Sequence, residues 1–418
     1  VRPVVVALAA TLLAACASSR ETTPVSAERP PPLTALTAGL WPAGQAQLRT
    51  TSGAIYLHNL DARIKTLQTR LRGEAAPGDH EKLTAALWHR YRVLGRVEDA
   101  ERALAWVTDS AASSATGHYL RAVVLAGFHR FTEAEAALAE AEKVGVDTDL
   151  IARQRADLLV ALGRYEALAE DLRRSAEPIA NFDQLAHRAD LRVMLGDLGG
   201  AERQYWAAQG LYRDINPVPI AWLHTQMGIA LLRFGEVERA ATFFAAAVER
   251  LPGYYLAEEH LAECEFLLGR LDQARERYLR VIESTGLPEF MAALAEVEAA
   301  RGNAEAAANW KRRAREGFNA LLDRHGQAFA QHAAEFFLGE GDIATARRLA
   351  EENLALRQDA GSWLLAAEVA LAEGRQPRAC HALARVRAAG LAPPELRDLE
   401  SRGAACPAPS DQAAKGSG

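Results

Sequence analysis

AWLHTQMGIALLRFGEVERAATFFAAAVERLPGY, residues 221–254, decides the fold. Two apolar-rich stretches flank Gly235, and each is long enough for a helix of several turns. Each stretch carries a small residue near the corner, Gly228 in the first and Ala240 in the second. Helix backbones approach closely only where side chains are small. Gly235 follows the last turn of the first helix, where a left-handed residue is cheapest as glycine. Phe244 and Ala247 extend the packing face of the second helix, and Pro252 ends it. The segment reads as one helix–turn–helix unit.

Outward from this segment the same signal recurs: Gly-[Arg/Asp/Glu/Asn], with Ala five residues after the Gly. It appears at Gly95, Gly196, Gly235, Gly269, Gly302, Gly341 and Gly374, followed by Ala100, Ala201, Ala240, Ala274, Ala307, Ala346 and Ala379. His129 and Gly163 fill the two remaining places, with Ala134 in step after His129. The spacings between anchors are 34, 34, 33, 39, 34, 33, 39 and 33.

A sustained helical beat of this length resembles the tetratricopeptide repeat. In that family each unit is an antiparallel pair of helices, A and B, with small residues at the eighth and twentieth places. Here the eighth place holds Ala122, Ala156, Ala189, Gly228, Ala262, Ala295, Ala334 and Ala367, with Trp88 the exception. The twentieth is Ala in every unit except at Leu168. The family's Trp at the fourth place appears only as Trp363 and its late Pro only as Pro252, so the register across nine units carries the resemblance. It implies an all-α, right-handed superhelical solenoid of about nine antiparallel helix pairs. The units fall at about 81–114, 115–148, 149–181, 182–215, 221–254, 255–287, 288–321, 327–359 and 360–393.

The two spacings of 39 fall around Asn216–Pro219 and Leu322–Gly326 and read as a lengthened helix B or a longer connection. Before the array, Ile55, Leu60, Ile64, Leu67 and Leu71 share one helical face, so 44–80 reads as an N-terminal cap. After it, 394–406 reads as a C-terminal cap and 407–418 as a disordered tail.

The N-terminus gives a second resemblance. Arg2 precedes the apolar run Val4–Ala14, as in a signal peptide spanning 1–15. Leu13-Ala14-Ala15-Cys16 resembles the lipobox of bacterial lipoproteins, which implies acylation of Cys16. Ala17 rather than Asp after the Cys implies sorting to the periplasmic face of the outer membrane. Residues 17–43, rich in Ala, Ser, Thr and Pro around Pro30-Pro31-Pro32, complete the anchor and tether segment 16–43. After residue 16 no apolar stretch approaches the roughly 18–20 residues of a membrane-spanning helix, so the membrane is met through the lipid anchor alone. A net charge of −6 over 418 residues gives no reason to expect nucleic acid as a partner.

Three cysteines follow the anchor. Cys264 reads as a small buried apolar residue. Cys380 and Cys406, near the end of the array, are candidates for a disulfide in an oxidising compartment. No zinc-protease helix, phosphate-binding loop, dinucleotide turn or nucleophile elbow occurs, so neither catalysis nor a cofactor is expected.

One constellation remains. His187–Asp190, His260–Glu263 and His332–Glu335 each place a His three residues before an acid, at the sixth and ninth places of helix A. The pairs sit two units apart, on the order of 20 Å, which excludes one shared metal site. With Asp157, Glu296 and Glu368 they give an acidic row on the face that, in the family, lines the concave groove. The Lys/Asn set of carboxylate-clamp repeats is missing from it. Such a row suits a basic partner segment, and the alternative is a solvated face without a ligand. Two functions follow as expectations. The first is a membrane-anchored periplasmic scaffold for protein partners in envelope assembly, secretion or export. The second is a periplasmic small-ligand-binding accessory of a transport system, which needs a closed array with a central cavity; Trp222, Phe266 and Tyr119 are its groove-side candidates.

Overall fold

The computed structural model describes residues 48–109, 114–168, 181–402 and 406. The expected signal peptide, Cys16, the tether and the tail lie outside the described residues. The described chain is helical throughout and contains no strand. Helix α1 is Gly53–Arg72. The pairs that follow are α2 (Asp79–Leu94) with α3 (Val97–Asp109) and α4 (Ala115–Gly127) with α5 (Phe131–Lys143). Then α6 (Thr148–Ala161) meets a helix described only over 165–168, and α7 (Phe182–Met194) pairs with α8 (Leu198–Leu211). Next come α9 (Pro217–Arg233) with α10 (Val237–Arg250) and α11 (Tyr255–Leu267) with α12 (Leu271–Thr285). Helix α13 (Pro288–Ala300) pairs with the first half of α14 (Ala304–Gly339), and the second half of α14 with α15 (Ile343–Leu356). The last pair is α16 (Ala360–Ala372) with α17 (Gln376–Ala388), followed by α18 (Pro394–Arg402).

The nine corners between paired helices share one conformation. Each anchor glycine has φ between +70° and +80°, and His129 adopts +57°, the one non-glycine residue with positive φ among the described residues. At the fifth corner the Glu236 N–H donates to the Leu231 carbonyl, satisfying a helix end that would otherwise lack a partner. The same bond recurs at Arg130–Leu125, Arg164–Leu159, Asp197–Arg192, Arg270–Glu265, Asn303–Glu298, Asp342–Phe337 and Arg375–Ala370.

The crossings are tight where the sequence requires it. Ala122, Ala189, Ala262, Ala295, Ala334 and Ala367 are wholly covered. A Cβ at Gly228 would lie 2.6 Å from the Phe244 ring, so Phe244 fills the space that a side chain there would take. Trp88, the large residue at a small-residue place, is accommodated by its neighbour: its ring lies where a Cβ on Gly127 would be.

The two long spacings are built differently. The first combines a coil at 212–216 with an N-terminal extension of helix A, where the Asn216 side chain accepts from the Val218 N–H at 3.0 Å and Pro217 opens α9. The second has no loop. Helix B of one unit runs into helix A of the next as α14, bent at His325 (φ −142°, ψ 45°).

The array winds back onto itself. Gly95, the corner of the first unit, packs on Tyr255 and Thr285, at the two ends of the sixth. His129 of the second unit donates from Nδ1 to the Gln327 carbonyl at 2.9 Å. Gly163 of the third lies against Gln358 and Asp359, and the Tyr165 hydroxyl there accepts from the Ala360 N–H at 2.9 Å. Gly196 of the fourth lies against Ala392, whose N–H donates to the Met194 carbonyl at 2.9 Å. The cap keeps the same register: Gly53 packs on Arg250, Leu251 and Pro252, at the end of the fifth unit. The first four corners therefore meet the chain about five units on, at a unit's end or at the junction that follows it, and one superhelical turn takes about five units. Helix α9 is enclosed by this winding, and sixteen of its seventeen residues are buried, the polar His224, Thr225, Gln226 and Arg233 among them. In the cap, Leu60, Ile64 and Leu67 are buried, but Ile55, expected on the same face, is 57% exposed.

At the far end Cys380 and Cys406 are joined by a disulfide, and Cys264 is free and buried. Arg233 at the end of α9 forms a two-bonded ion pair with Glu395 of α18 (2.7 and 2.9 Å), tying the closing helix to the middle of the array.

Candidate functional site

The acidic row is built into the packing and does not form the free groove face expected of it. Asp157 is buried and faces His187 Nε2 at 3.1 Å, while His187 Nδ1 lies 2.8 Å from the Asp183 carbonyl. Asp190 accepts from the Tyr205 hydroxyl at 2.6 Å. His260 and Glu263 are both buried, 3.1 Å apart, with the imidazole stacked on Phe244. Glu335 accepts from Gln331 at 3.2 Å and Glu368 is half-buried. Glu296 alone among these acids is exposed, and it pairs with Lys311 at 3.3 Å. Of the expected groove residues, Asp157, His187, His260 and Glu263 are thus buried and Asp190, His332, Glu335 and Glu368 half-buried. The partners of Asp157, Asp190, Glu263 and Glu335 come from their own or the adjacent unit.

Burial sets the protonation of these groups. It pushes the Glu335 carboxyl up to about 8 and the His332 ring down to about 4, so both are neutral between those values although 3.7 Å apart. Burial lowers the His260 imidazole, but Glu259 and Glu263 outweigh it and the ring ends raised. Glu259, His260 and Glu263 offer three ligand-type atoms within 4.8 Å of one another, the one such group among the described residues. Its Nδ1 faces both carboxylates, at 3.1 and 3.2 Å, which makes it a buried proton-sharing cluster. Of the groove-side aromatics, Trp222 is buried against Phe182, and Tyr119 and Phe266 are half-buried.

What the winding leaves open is a cavity of about 80 Å³ at the seam between the two turns. Helix α2 contributes Trp88, Tyr91 and Arg92. The opposite wall comes from Tyr254 and Tyr255 at the start of α11, Glu289 in α13, and Phe329 and His332 in α14. His129 and Arg357 close it where the seam contacts begin. Arg357 is occupied, bonded to Gln331 and lying 3.0 Å from Asp359. Arg92 is not: it makes no hydrogen bond or ion pair with any described residue. Burial lowers its guanidinium to about 10, still charged at neutral pH. Burial raises the Glu289 carboxyl to about 7 and lowers the His129 ring to about 3, with Arg357 adding to the latter. Sequence reasoning missed this site. Its one visible sign was Trp88, the bulky residue at a place where the repeat wants a small one.

Paired helices of about 13 residues, left-handed corners and small crossing residues are on the page together. The fold is a tetratricopeptide-repeat solenoid. No protein-family model and no curated protein matches the chain. Among solved structures the chain is similar to PilW, described as a widely conserved type IV pilus biogenesis factor: 17% identity over 51% of this chain and 94% of that one, TM-score 0.39. It is also similar to a tetratricopeptide repeat protein from Parabacteroides merdae, with 18% identity over 53% of this chain and 98% of that one, TM-score 0.29. Human IFIT1, solved as a dimer with PPP-AAAA, gives 15% identity over 82% of this chain and 91% of that one, TM-score 0.43.

Proposed function

We propose that this solenoid is a non-catalytic scaffold for protein partners, tethered through Cys16 to the periplasmic face of the outer membrane, in envelope assembly, secretion or export. One observation carries the scaffold reading. From 79 to 388 the described helices form one array of packed pairs, with no inserted domain among the described residues. Stacked repeats of this kind work through extended surface. The seam locks the two turns together, so that surface is presented on a rigid body.

The tether is supported by Leu13-Ala14-Ala15-Cys16 and the polar, Pro-containing stretch after it. The Cys380–Cys406 bridge fits an oxidising compartment. No helix among the described residues is long and apolar enough to cross a membrane. Glu296 is the exposed member of the acidic row and the one most open to a partner.

The test is in-cell photo-crosslinking from position 296, with a control probe at the exposed Glu305 in α14. A discrete protein captured from 296 and not from 305 is the expected result. Capture of nothing discrete from either probe, with the chain intact, overturns the scaffold reading. The anchor is checked separately: Cys16→Ser should release the chain from membranes, and retention after a carbonate wash overturns it.

A further inference from the structure

We propose that the seam cavity is a binding site for a small anion, a carboxylate or phosphate of a few heavy atoms, held by Arg92. This goes beyond the scaffold reading and does not depend on it.

The argument begins with what lines the cavity and lacks a partner. Arg92 has five N–H donors and no acceptor among the described residues. Tyr91, Tyr254 and Tyr255 line the same space, and their hydroxyls make no hydrogen bond with any described residue. Arg92 sits close enough to Tyr254 and Tyr255 for their charges to be coupled. Arg92 is half-buried and Tyr254 and Tyr255 are buried, and polar groups withdrawn from water are costly unless they are hydrogen-bonded. A guanidinium and three tyrosines, whose hydroxyls can donate or accept, converge here with no hydrogen bond to a described residue.

The surrounding charge leaves the acceptor's place to an anion. Arg357 already has Asp359, so it neither competes for nor supplies a free partner. Asp157 is the acid whose charge acts on Arg92, but it faces His187 Nε2 at 3.1 Å. No ion pair joins Glu289 to Arg92, and burial raises its carboxyl to about 7. His129 and His332 are neutral at the same pH. Arg92 is thus the cation of the cavity lining that has no hydrogen-bonded or ion-paired partner among the described residues.

Size and shape narrow the ligand. A water needs roughly 10–15 Å³ of such space, so about 80 Å³ holds several waters or one small anion, and not a polypeptide segment. The planar guanidinium fork matches carboxylate and phosphate oxygens. Trp88 and Phe329 give the cavity apolar walls, which suit a short carbon chain behind a carboxylate. When the site is empty, waters solvate Arg92; binding exchanges them for charge-assisted hydrogen bonds.

The experiment is isothermal titration of the full chain in detergent at pH 6.5 with two probes, propionate and inorganic phosphate. The expected result is saturable one-to-one binding of at least one probe with Kd below about 1 mM. Whichever probe binds more tightly tells a carboxylate ligand from a phosphate ligand. Arg92→Met should weaken that binding at least tenfold. Because Arg92 holds no protein partner, the same variant should melt no lower than the parent, which separates a ligand-binding role from a structural one. Should Arg92→Met fail to fold, Arg92→Lys, which keeps the charge and loses the fork, should weaken binding, and Tyr255→Phe should do so by a smaller factor. Absence of binding by both probes, or equal binding by the parent and the Arg92 variants, overturns the proposal.

Discussion

The corners of units one to four and those of units five to nine occupy the same place in the repeat and share the same backbone turn. Their surroundings differ. Gly163 and Gly196 face carbonyl groups of the following superhelical turn, with no room for a Cβ. Gly235, Gly269, Gly302, Gly341 and Gly374 have nothing within 4 Å of where a Cβ would be. In the second group glycine answers one demand, a positive φ. In the first it answers two, the turn and the close approach of another backbone. Identical motif letters thus carry unequal energetic weight, and the inequality maps the seam.

Removing the seam's buried ion pair should show the largest effect. Arg233 and Glu395 are both nearly covered, and Glu395→Ala would leave Arg233 buried and unpaired. Loss of one partner of such a pair costs about 3–5 kcal/mol. We expect α18 to detach, read as faster hydrogen exchange in 394–402 and a larger radius of gyration in solution scattering at unchanged helicity. A melting temperature and scattering curve identical to the parent would mean that the seam is not held there.

A paired substitution tests the two kinds of corner directly. Gly235→Ala meets only the cost of a left-handed residue, about 1–2 kcal/mol. Gly163→Ala adds overlap with the Gln358 carbonyl, a further 1–3 kcal/mol or so. Gly163→Ala should therefore destabilise by about twice as much or more, and it alone should expand the molecule. Equal costs in denaturant melts would erase the distinction between buttressed and free corners.

This contrast also explains what the sequence could tell. The corner turn, the crossing alanines and the pairing are local: each depends on residues within one unit, so a spacing of 33 or 34 exposes them. The five-unit turn is not local. It is set by small rotations between successive pairs and by contacts such as His129 with Gln327, which no periodicity encodes. The acidic row's shared face could be read from helical spacing, but the partners its acids take on neighbouring helices, His187 for Asp157 and Tyr205 for Asp190, could not. The cavity escaped notice because its two walls, Arg92 on one side and Tyr254 and Tyr255 on the other, come from turns far apart in the chain.

The smallest effect, and the finest probe of the comparison, is at His129. It occupies a buttressed corner without being glycine, and holds φ at +57°. Its Nδ1–H donates across the seam to the Gln327 carbonyl, and its ring stacks on Phe131 at 5.2 Å. His129→Gly would relieve about 1–2 kcal/mol of left-handed strain. It would forfeit a hydrogen bond worth about 0.5–1.5 kcal/mol and give the unfolded chain more freedom, worth about 0.4–1 kcal/mol. These terms nearly cancel, so the variant should lie within about 1 kcal/mol of the parent in denaturant melts. A loss well beyond that would show that the bond to Gln327 does more than satisfy one carbonyl. It would place His129 with Gly163 as a residue chosen by the second turn, not by its own corner.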